Sequence, residues 1–183
     1  TTDTTFTENG LPVALTDTDL VLDDVDSPNL AGATFVLLNA QAGDALVVTG
    51  SLPGGISAVV TGNQLTLSGT ASVADYRAAL ALIAFSNPGD APDPQDRLIQ
   101  VTVNDGTKNT SAFALVHVTA VNDAPVAQDG SASGNEDTPI GSTLVATDVD
   151  NPVLTYTLGT PAANGTVVVN TDGTYTYTPN LNF

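Results

Sequence analysis

The chain has 183 residues, of which 42% are hydrophobic, and its formal net charge is −17. Such a composition indicates a folded protein with a core, since a disordered acidic tail has far fewer apolar residues. Three basic residues cannot form the basic face that nucleic acid or an anionic membrane surface requires, so neither is an expected partner. Cysteine is absent, which excludes disulfides, zinc–thiolate sites and thiol nucleophiles.

The residue pattern along the chain predicts an all-β fold. Val, Thr, Ile and Leu alternate with small polar residues, and Gly, Asn, Asp and Pro interrupt them at short intervals, as in β-sandwiches. No apolar run is long enough to span a bilayer, so direct membrane insertion is not expected. The predicted strands are 33–38, 45–49, 57–61, 64–68, 83–86, 98–104 and 112–120 in the first half, and 143–146, 154–158, 166–170 and 174–178 in the second.

One stretch, SVADYRAALALIAF (72–85), predicts a short helix instead of a strand. Ser72 is a favourable N-cap, Asp75 lies in the first turn, and Tyr76, Leu80 and Ile83 recur at helical spacing. We expect about two helical turns over 72–82 that cross between sheets, followed by a strand from Ile83. The proline-rich stretch 87–96 then predicts a loop.

A domain boundary is predicted at VNDAP (121–125), because the segment follows a long strand and precedes a Gly- and Ser-rich run. The two halves also resemble each other, since TENGLPVALTDTDLVLDDVDSP (7–28) and GNEDTPIGSTLVATDVDNP (134–152) share a Glu, a Pro and Asp-Val-Asp-x-Pro. We therefore expect one domain over 1–121, a linker over 122–125 and an incomplete second domain over 126–183. A sandwich without its last strands has an open sheet edge with which another chain could pair.

Acidic loops occur in both halves and suit a divalent cation. Calcium takes six to eight oxygen ligands from carboxylates, amides and backbone, and alternating Asp residues in a loop can direct two carboxylates at one ion. A single Asp-x-Asp pair is more often a solvated turn. The case rests on the co-occurrence of an early Glu, two Asp-Val-Asp-x-Pro loops, an Asn-Asp-Gly loop (104–106) and the Asn-Asp-Ala-Pro linker.

The second half, with VNDAPV, NEDTP, ATDVDNP and NGTVVVNTDGTYTYTPN, resembles the cadherin-like tandem repeats of large bacterial surface adhesins of the RTX type, which are secreted by the type I route. The first half, with LTLSGTASVADYRAALALIAFSN and DRLIQVTVNDGT, resembles a longer relative in such proteins. The resemblance implies tandem Greek-key sandwiches with calcium between consecutive domains. It implies these metal ligands: Glu8, Asp75, Asn122, Asp123, Asp148 and Asp150 between the two halves, and Asp24, Asp26 and Asp105 at the far end of the first domain.

The leading functional hypothesis is a non-catalytic extender of a secreted adhesin at the bacterial cell surface, stiffened by Ca²⁺ at its interdomain junctions. Its partners would be neighbouring repeats of the same chain, and ligands on a host or biofilm surface. The alternative is a glycan- or protein-binding module, suggested by the unusual length of the first domain, the helix over 72–82 and the 87–96 loop. An enzyme is not expected, because the single histidine, His117, lies in an alternating strand and no catalytic base with a partner is evident. Tyr175 and Tyr177 share a strand face, which favours cross-strand packing over a carbohydrate platform.

Overall fold

The computed structural model describes residues 2–17, 21–23 and 27–183, and it divides into two compact units, Thr1–Val121 (unit 1) and Asn122–Phe183 (unit 2). The elements in chain order are β1 (Thr2–Thr7), β2 (Val13–Ala14), β3 (Asn29–Leu37), β4 (Ala45–Val48), β5 (Ser57–Thr61), β6 (Gln64–Ser72), α1 (Val73–Leu80), β7 (Ile83–Ser86), β8 (Arg97–Asn104), β9 (Asn109–Thr119), β10 (Val126–Gln128), β11 (Ile140–Thr143), β12 (Val145–Thr147), β13 (Gly165–Val169) and β14 (Thr174–Pro179).

Unit 1 is a β-sandwich of a six-stranded and a three-stranded sheet. The larger sheet has the order β1-β9-β8-β3-β6-β5 and the smaller has the order β2-β7-β4. Alternate residues of β3 are buried, as expected for a strand with one face on the core. Phe6 of the larger sheet meets Phe85 of the smaller one edge to face, with ring centroids 5.5 Å apart, so the two inner faces interdigitate.

The predicted crossover helix is confirmed as α1, which connects β6 of the larger sheet to β7, the central strand of the smaller one. Ser72 caps it by accepting a hydrogen bond from the backbone N–H of Asp75 at 3.1 Å, and Tyr76, Ala79 and Leu80 are buried at helical spacing. The Tyr76 hydroxyl donates to the backbone carbonyl of Gly69 at 2.6 Å, and burial raises the pKa of that hydroxyl.

Unit 2 is all β and much more open than unit 1. It contains a two-stranded sheet, β10-β12, and a three-stranded sheet, β11-β14-β13. Val167 and Val169 of β13 lie opposite Tyr177 and Tyr175 of β14, so the two tyrosines pack across strands as expected. Unit 2 is described throughout, and its one buried residue is Gly173.

The strand predicted over 154–158 is wrong, although Leu154 and Tyr156 do alternate with exposed neighbours. In the structure this segment has no neighbouring strand with which to form a ladder. Its backbone contact is a single bond from the N–H of Tyr156 to the carbonyl of Thr171 at 3.2 Å. Alternation alone cannot supply a pairing partner. Across the described residues, no helix is both long and apolar enough to cross a membrane.

Candidate functional site

Glu8 is a buried carboxylate at the end of the first strand. β1 runs parallel to β9, and its last residue, Thr7, lies beside Thr119. The backbone N–H of Glu8 continues the pairing by donating to the Thr119 carbonyl at 2.9 Å. Its side chain turns inward, is 4% exposed, and accepts the backbone N–H of Val121 at Oε2, at 2.6 Å. The fold therefore fixes this carboxylate beside the segment that leaves β9.

The second oxygen of that carboxylate lacks a partner. Oε1 of Glu8 is buried and accepts no hydrogen bond from any residue that the structure describes. A carboxylate oxygen of Asp90 lies within 4.8 Å of a Glu8 carboxylate oxygen. Two like charges at such a separation repel by roughly 1 kcal/mol in water, and by several-fold more where water is excluded. A divalent cation would satisfy the orphaned oxygen and turn this repulsion into attraction.

Asp90 was not among the metal ligands predicted from the sequence, because its position depends on the contacts that anchor the 87–96 loop. Asn87, 2% exposed, donates to the Ala42 carbonyl and to Oδ1 of Asp44, both at 3.0 Å. Its Oδ1 accepts the backbone N–H of Gly89 at 2.9 Å, which shapes the turn just before Asp90. The start of this loop is thus anchored to the segment before β4.

The end of the same loop is anchored by a buried ion pair. Nε of Arg97 contacts Oδ2 of Asp44 at 2.6 Å, and both side chains are fully buried. The Arg97 guanidinium also donates to the backbone carbonyls of Asp93, at 2.9 Å, and Gln95. The three nitrogens of one guanidinium thus bond three different acceptors, which fixes its position as well as compensating its charge. A loop that looks irregular in sequence is therefore held at both ends, with Asp90 exposed between the anchors.

Asp75 does not lie where the resemblance placed it. Because β6 runs antiparallel to β3 and ends with Ser72 opposite Asn29, α1 begins at the opposite end of the six-stranded sheet from Glu8. Oδ2 of Asp75 accepts the hydroxyl of Ser72 at 2.6 Å, as part of the helix cap. The prediction that Asp75 and Glu8 lie in one site is wrong, because the two residues are at opposite ends of the six-stranded sheet.

Asp105 lies in the turn between β8 and β9, at the same end of the sheet as α1's first turn. Its Oδ1 accepts the backbone N–H groups of Thr107 and Lys108 at 2.6 and 2.7 Å, and the Thr107 hydroxyl at 2.8 Å. The Lys108 backbone bond, followed by those from Thr107, lowers the pKa of Asp105. One oxygen of this carboxylate therefore stabilises the turn. Asp24 and Asp26, predicted to act with Asp105, lie outside the described residues.

In unit 2 the acidic loop and the linker residues do come together. Oδ1 of Asp148 accepts the backbone N–H groups of Asp150 and Asn151 at 2.9 and 2.8 Å, and Oδ2 of Asp150 accepts the N–H of Asp123 at 2.7 Å. The amide of Asn151 donates to Oδ1 of Asn122 at 2.9 Å. The resemblance implied that the loop and the linker lie together, and these bonds connect them.

One carboxylate oxygen of Asp148 and one of Asp150 accept no hydrogen bond from the described residues. Among the described residues, no hydrogen bond reaches Oδ2 of Asp148 or Oδ1 of Asp150. Asp123, Asp148 and Asp150 are each half-buried, so water reaches them incompletely. The backbone bonds orient the carboxylates and leave one oxygen of each loop aspartate for an external ligand.

Comparison with known proteins gives a family match for unit 2. Residues 122–183 match the family model of the bacterial cadherin-like domain. Unit 2 is similar to bacterial cadherin-like domains. The match spans both sheets of the unit and its linker residues, and it supports a cadherin-like repeat with a β-sandwich fold.

Two curated relatives extend the similarity into unit 1. The chain is 31% identical over 157 residues to the cadherin EGF LAG seven-pass G-type receptor 1 of Mus musculus, which covers 80% of the chain and 5% of the receptor. It is 33% identical over 140 residues to the receptor of the same name from Homo sapiens, which covers 71% of the chain and 4% of the receptor. The chain thus spans about a twentieth of the length of these relatives.

Proposed function

We propose that the chain is a non-catalytic extender segment of a secreted bacterial adhesin of the RTX type, exposed at the cell surface and stiffened by calcium at its interdomain junctions. The observation that carries this proposal is the Glu8 carboxylate, which is buried with one oxygen unpartnered and a second carboxylate nearby. A buried unpaired charge is costly, and proteins retain it where a ligand compensates for it.

The donor set suits a hard cation. Glu8 and Asp90 in unit 1, and Asp123, Asp148 and Asp150 in unit 2, offer carboxylate oxygens, while Asn122 offers an amide or backbone carbonyl. Calcium accepts such mixed oxygen ligands in flexible geometry, whereas magnesium demands a near-ideal octahedron. The chain lacks cysteine and its single histidine is engaged with two aspartates, so softer metals have little to bind.

The similarity to cadherin-like repeats supports the adhesive role. Both matched receptors carry "cadherin" in their names, and the family matched by unit 2 is bacterial. We infer that the partners of this segment are neighbouring repeats of its own chain. The recognition of host or biofilm ligands would then belong to other parts of the protein.

Two of the features that motivated the alternative function, a glycan- or protein-binding module, also serve the fold of unit 1. The 87–96 loop is fastened by the buried Asp44–Arg97 pair and by Asn87, and α1 connects β6 to β7 with one face buried. Both features have a structural explanation within unit 1. A reproducible hit on a glycan array in the presence of calcium would restore this alternative.

A thermal melt tests whether the folded chain binds calcium. The 183-residue chain is melted in millimolar calcium, in chelator, and in magnesium at equal ionic strength. We expect a clear upward shift of the melting temperature with calcium and a much smaller one with magnesium, since a ligand at about 100 times its Kd adds roughly 2.7 kcal/mol to the free energy of unfolding. Equal curves in all three buffers would remove calcium from the proposal.

Small-angle scattering tests the stiffening itself. Asp148→Ala removes a carboxylate of the unit 2 loop, and we expect flexibility between the units to increase in saturating calcium while both units stay folded. Asp129→Ala, at an exposed carboxylate of the same unit, is the matched control and should leave the scattering unchanged. Identical scattering from wild type and Asp148→Ala would show that this loop does not stiffen the junction.

A further inference from the structure

His117 lies between two aspartates on the outer surface of unit 1. Its Nε2 is 2.8 Å from Oδ1 of Asp3, and its Nδ1 is 2.8 Å from Oδ1 of Asp96. Asp3 belongs to β1, His117 to β9, and Asp96 immediately precedes β8. One imidazole therefore connects three neighbouring parts of the sheet.

The strand register explains this arrangement. His117 lies beside Thr5 of β1, and Asp3 is two residues earlier on the same face of that strand. Arg97 pairs with Val116 across the β8–β9 ladder, which puts Asp96 directly opposite His117. Cross-strand neighbours at these positions are within reach of polar side chains.

Two carboxylate contacts favour the doubly protonated form of the ring. A neutral imidazole has one N–H donor and one lone pair, and only the imidazolium donates from both nitrogens. A carboxylate is an acceptor only, so the neutral ring can bond one aspartate while its lone pair faces the other. The observed geometry, with both oxygens at 2.8 Å, is satisfied in full by the charged ring.

We propose that His117 is a proton-operated latch that fastens β1, the edge strand of the six-stranded sheet, to β9 and to the start of β8. When both ring nitrogens are protonated, the ring donates one hydrogen bond to Asp3 and one to Asp96. When the ring loses that proton, one of the two aspartates is released. This latch needs no metal, and it is independent of the calcium proposal.

The direction of the pH dependence follows from the charges around the ring. The hydrogen bond that the ring donates to Asp96 raises the pKa of His117 above its usual 6.5. Desolvation of the ring opposes this increase, and the negative charges of Asp96 and Asp3 reinforce it. No other described charge faces the ring, since Asp3 is the one charged residue of β1, β9 carries none besides His117, and Arg97 of β8 is buried against Asp44. The latch is therefore complete below pH 6.5 and is lost as pH rises through the elevated pKa.

Nuclear magnetic resonance tests the latch directly, because the chain has a single histidine and its ring signals need no assignment. The ring is titrated in the 183-residue chain, and we expect a pKa above 6.5 that falls in both Asp3→Asn and Asp96→Asn. Asp17→Asn removes an exposed charge elsewhere in unit 1 and should barely change it. A wild-type pKa at or below 6.5, or equal decreases in all three variants, would overturn the proposal.

Hydrogen exchange tests the mechanical consequence for β1. At pH 5.5 the amides of β1 should exchange more slowly in the wild type than in His117→Gln, after correction for intrinsic rates. At pH 8.5 the two proteins should converge, because the wild-type ring is then neutral as well. A difference that stays constant between these pH values would mean that His117 acts by packing alone, and the latch would be wrong. High salt should narrow the difference at pH 5.5, since all three side chains are partly exposed.

Discussion

Replacing Glu8 by Gln removes one negative charge and keeps the shape of a buried side chain. The Gln carbonyl can still accept the N–H of Val121, and its amide group can donate toward Asp90, where the wild type has a second carboxylate. The substitution therefore relieves both the orphaned oxygen and the repulsion between carboxylates. An unsatisfied buried polar group costs about 1–3 kcal/mol. In chelator we expect the free energy of unfolding of Glu8→Gln to exceed that of the wild type by an amount in this range.

Calcium should reverse the order of stability. Calcium at about 1,000 times its Kd adds roughly 4.1 kcal/mol to the wild-type chain. This gain exceeds the advantage of about 1–3 kcal/mol that Glu8→Gln has in chelator, so the wild type becomes the more stable protein. Glu8→Gln loses a charged ligand and should show only a small calcium shift. For a unit of this size each kcal/mol corresponds to roughly 3–6 °C in melting temperature, so differential scanning calorimetry resolves both differences.

The crossing of the two curves is the decisive observation, since a purely structural role for Glu8 predicts destabilisation in every buffer. If Glu8→Gln melts below the wild type in chelator and keeps the full calcium shift, the carboxylate is needed for packing and holds no ion. Asp90→Asn is the companion variant. It should also raise stability in chelator, by less, because Asp90 is exposed.

Three further predictions concern the framework of unit 1. Arg97→Met leaves Asp44 as an uncompensated buried charge and should lower the free energy of unfolding in urea by about 3–5 kcal/mol, and the double variant with Asp44→Leu should recover much of it. Gly69→Ala should lower the free energy of unfolding by more than about 2 kcal/mol, because the φ of Gly69 is +122° and the new Cβ would lie 1.8 Å from a backbone oxygen. Gly54→Ala is the control, since there is open space around Gly54, and it should leave the stability unchanged. Ser72→Ala removes the cap of α1 and should cost about 1 kcal/mol in the same titration.

Much of the fold could be predicted from the sequence, because helix capping and the spacing of buried residues depend on residues that are close in the chain. The cap at Ser72 and the burial of Tyr76 and Leu80 follow from spacing alone, and α1 formed where they indicated. Strands with one buried face, such as β3 and β8, were predicted within a few residues. The short strands β2, β10 and β11 were not predicted. Their short runs carry too little alternation, and they depend on neighbours supplied by the rest of the chain.

The residues of the candidate site could be predicted from the sequence only in part. Glu8 was predicted as a metal ligand from the resemblance to cadherin-like repeats, and the structure adds that its carboxylate is buried. Asp75 and Asp90 could not be told apart by sequence, since each is a single Asp after a strand. The direction in which β6 runs takes Asp75 away from Glu8, and the buried anchors Asn87 and Arg97 bring Asp90 toward it. Both effects depend on tertiary contacts between residues far apart in sequence.

The parallel pairing of β1 with β9 has a consequence for a segment that is pulled along its length. Tension applied at the start of β1 and at the end of β9 acts along the two strands in opposite directions, because both strands run the same way from Thr2 beside Ala114 to Thr7 beside Thr119. All the backbone hydrogen bonds between them are then loaded together in shear, and none is peeled away ahead of the others. A tether built from such units would resist unfolding up to a high force and would then unfold abruptly.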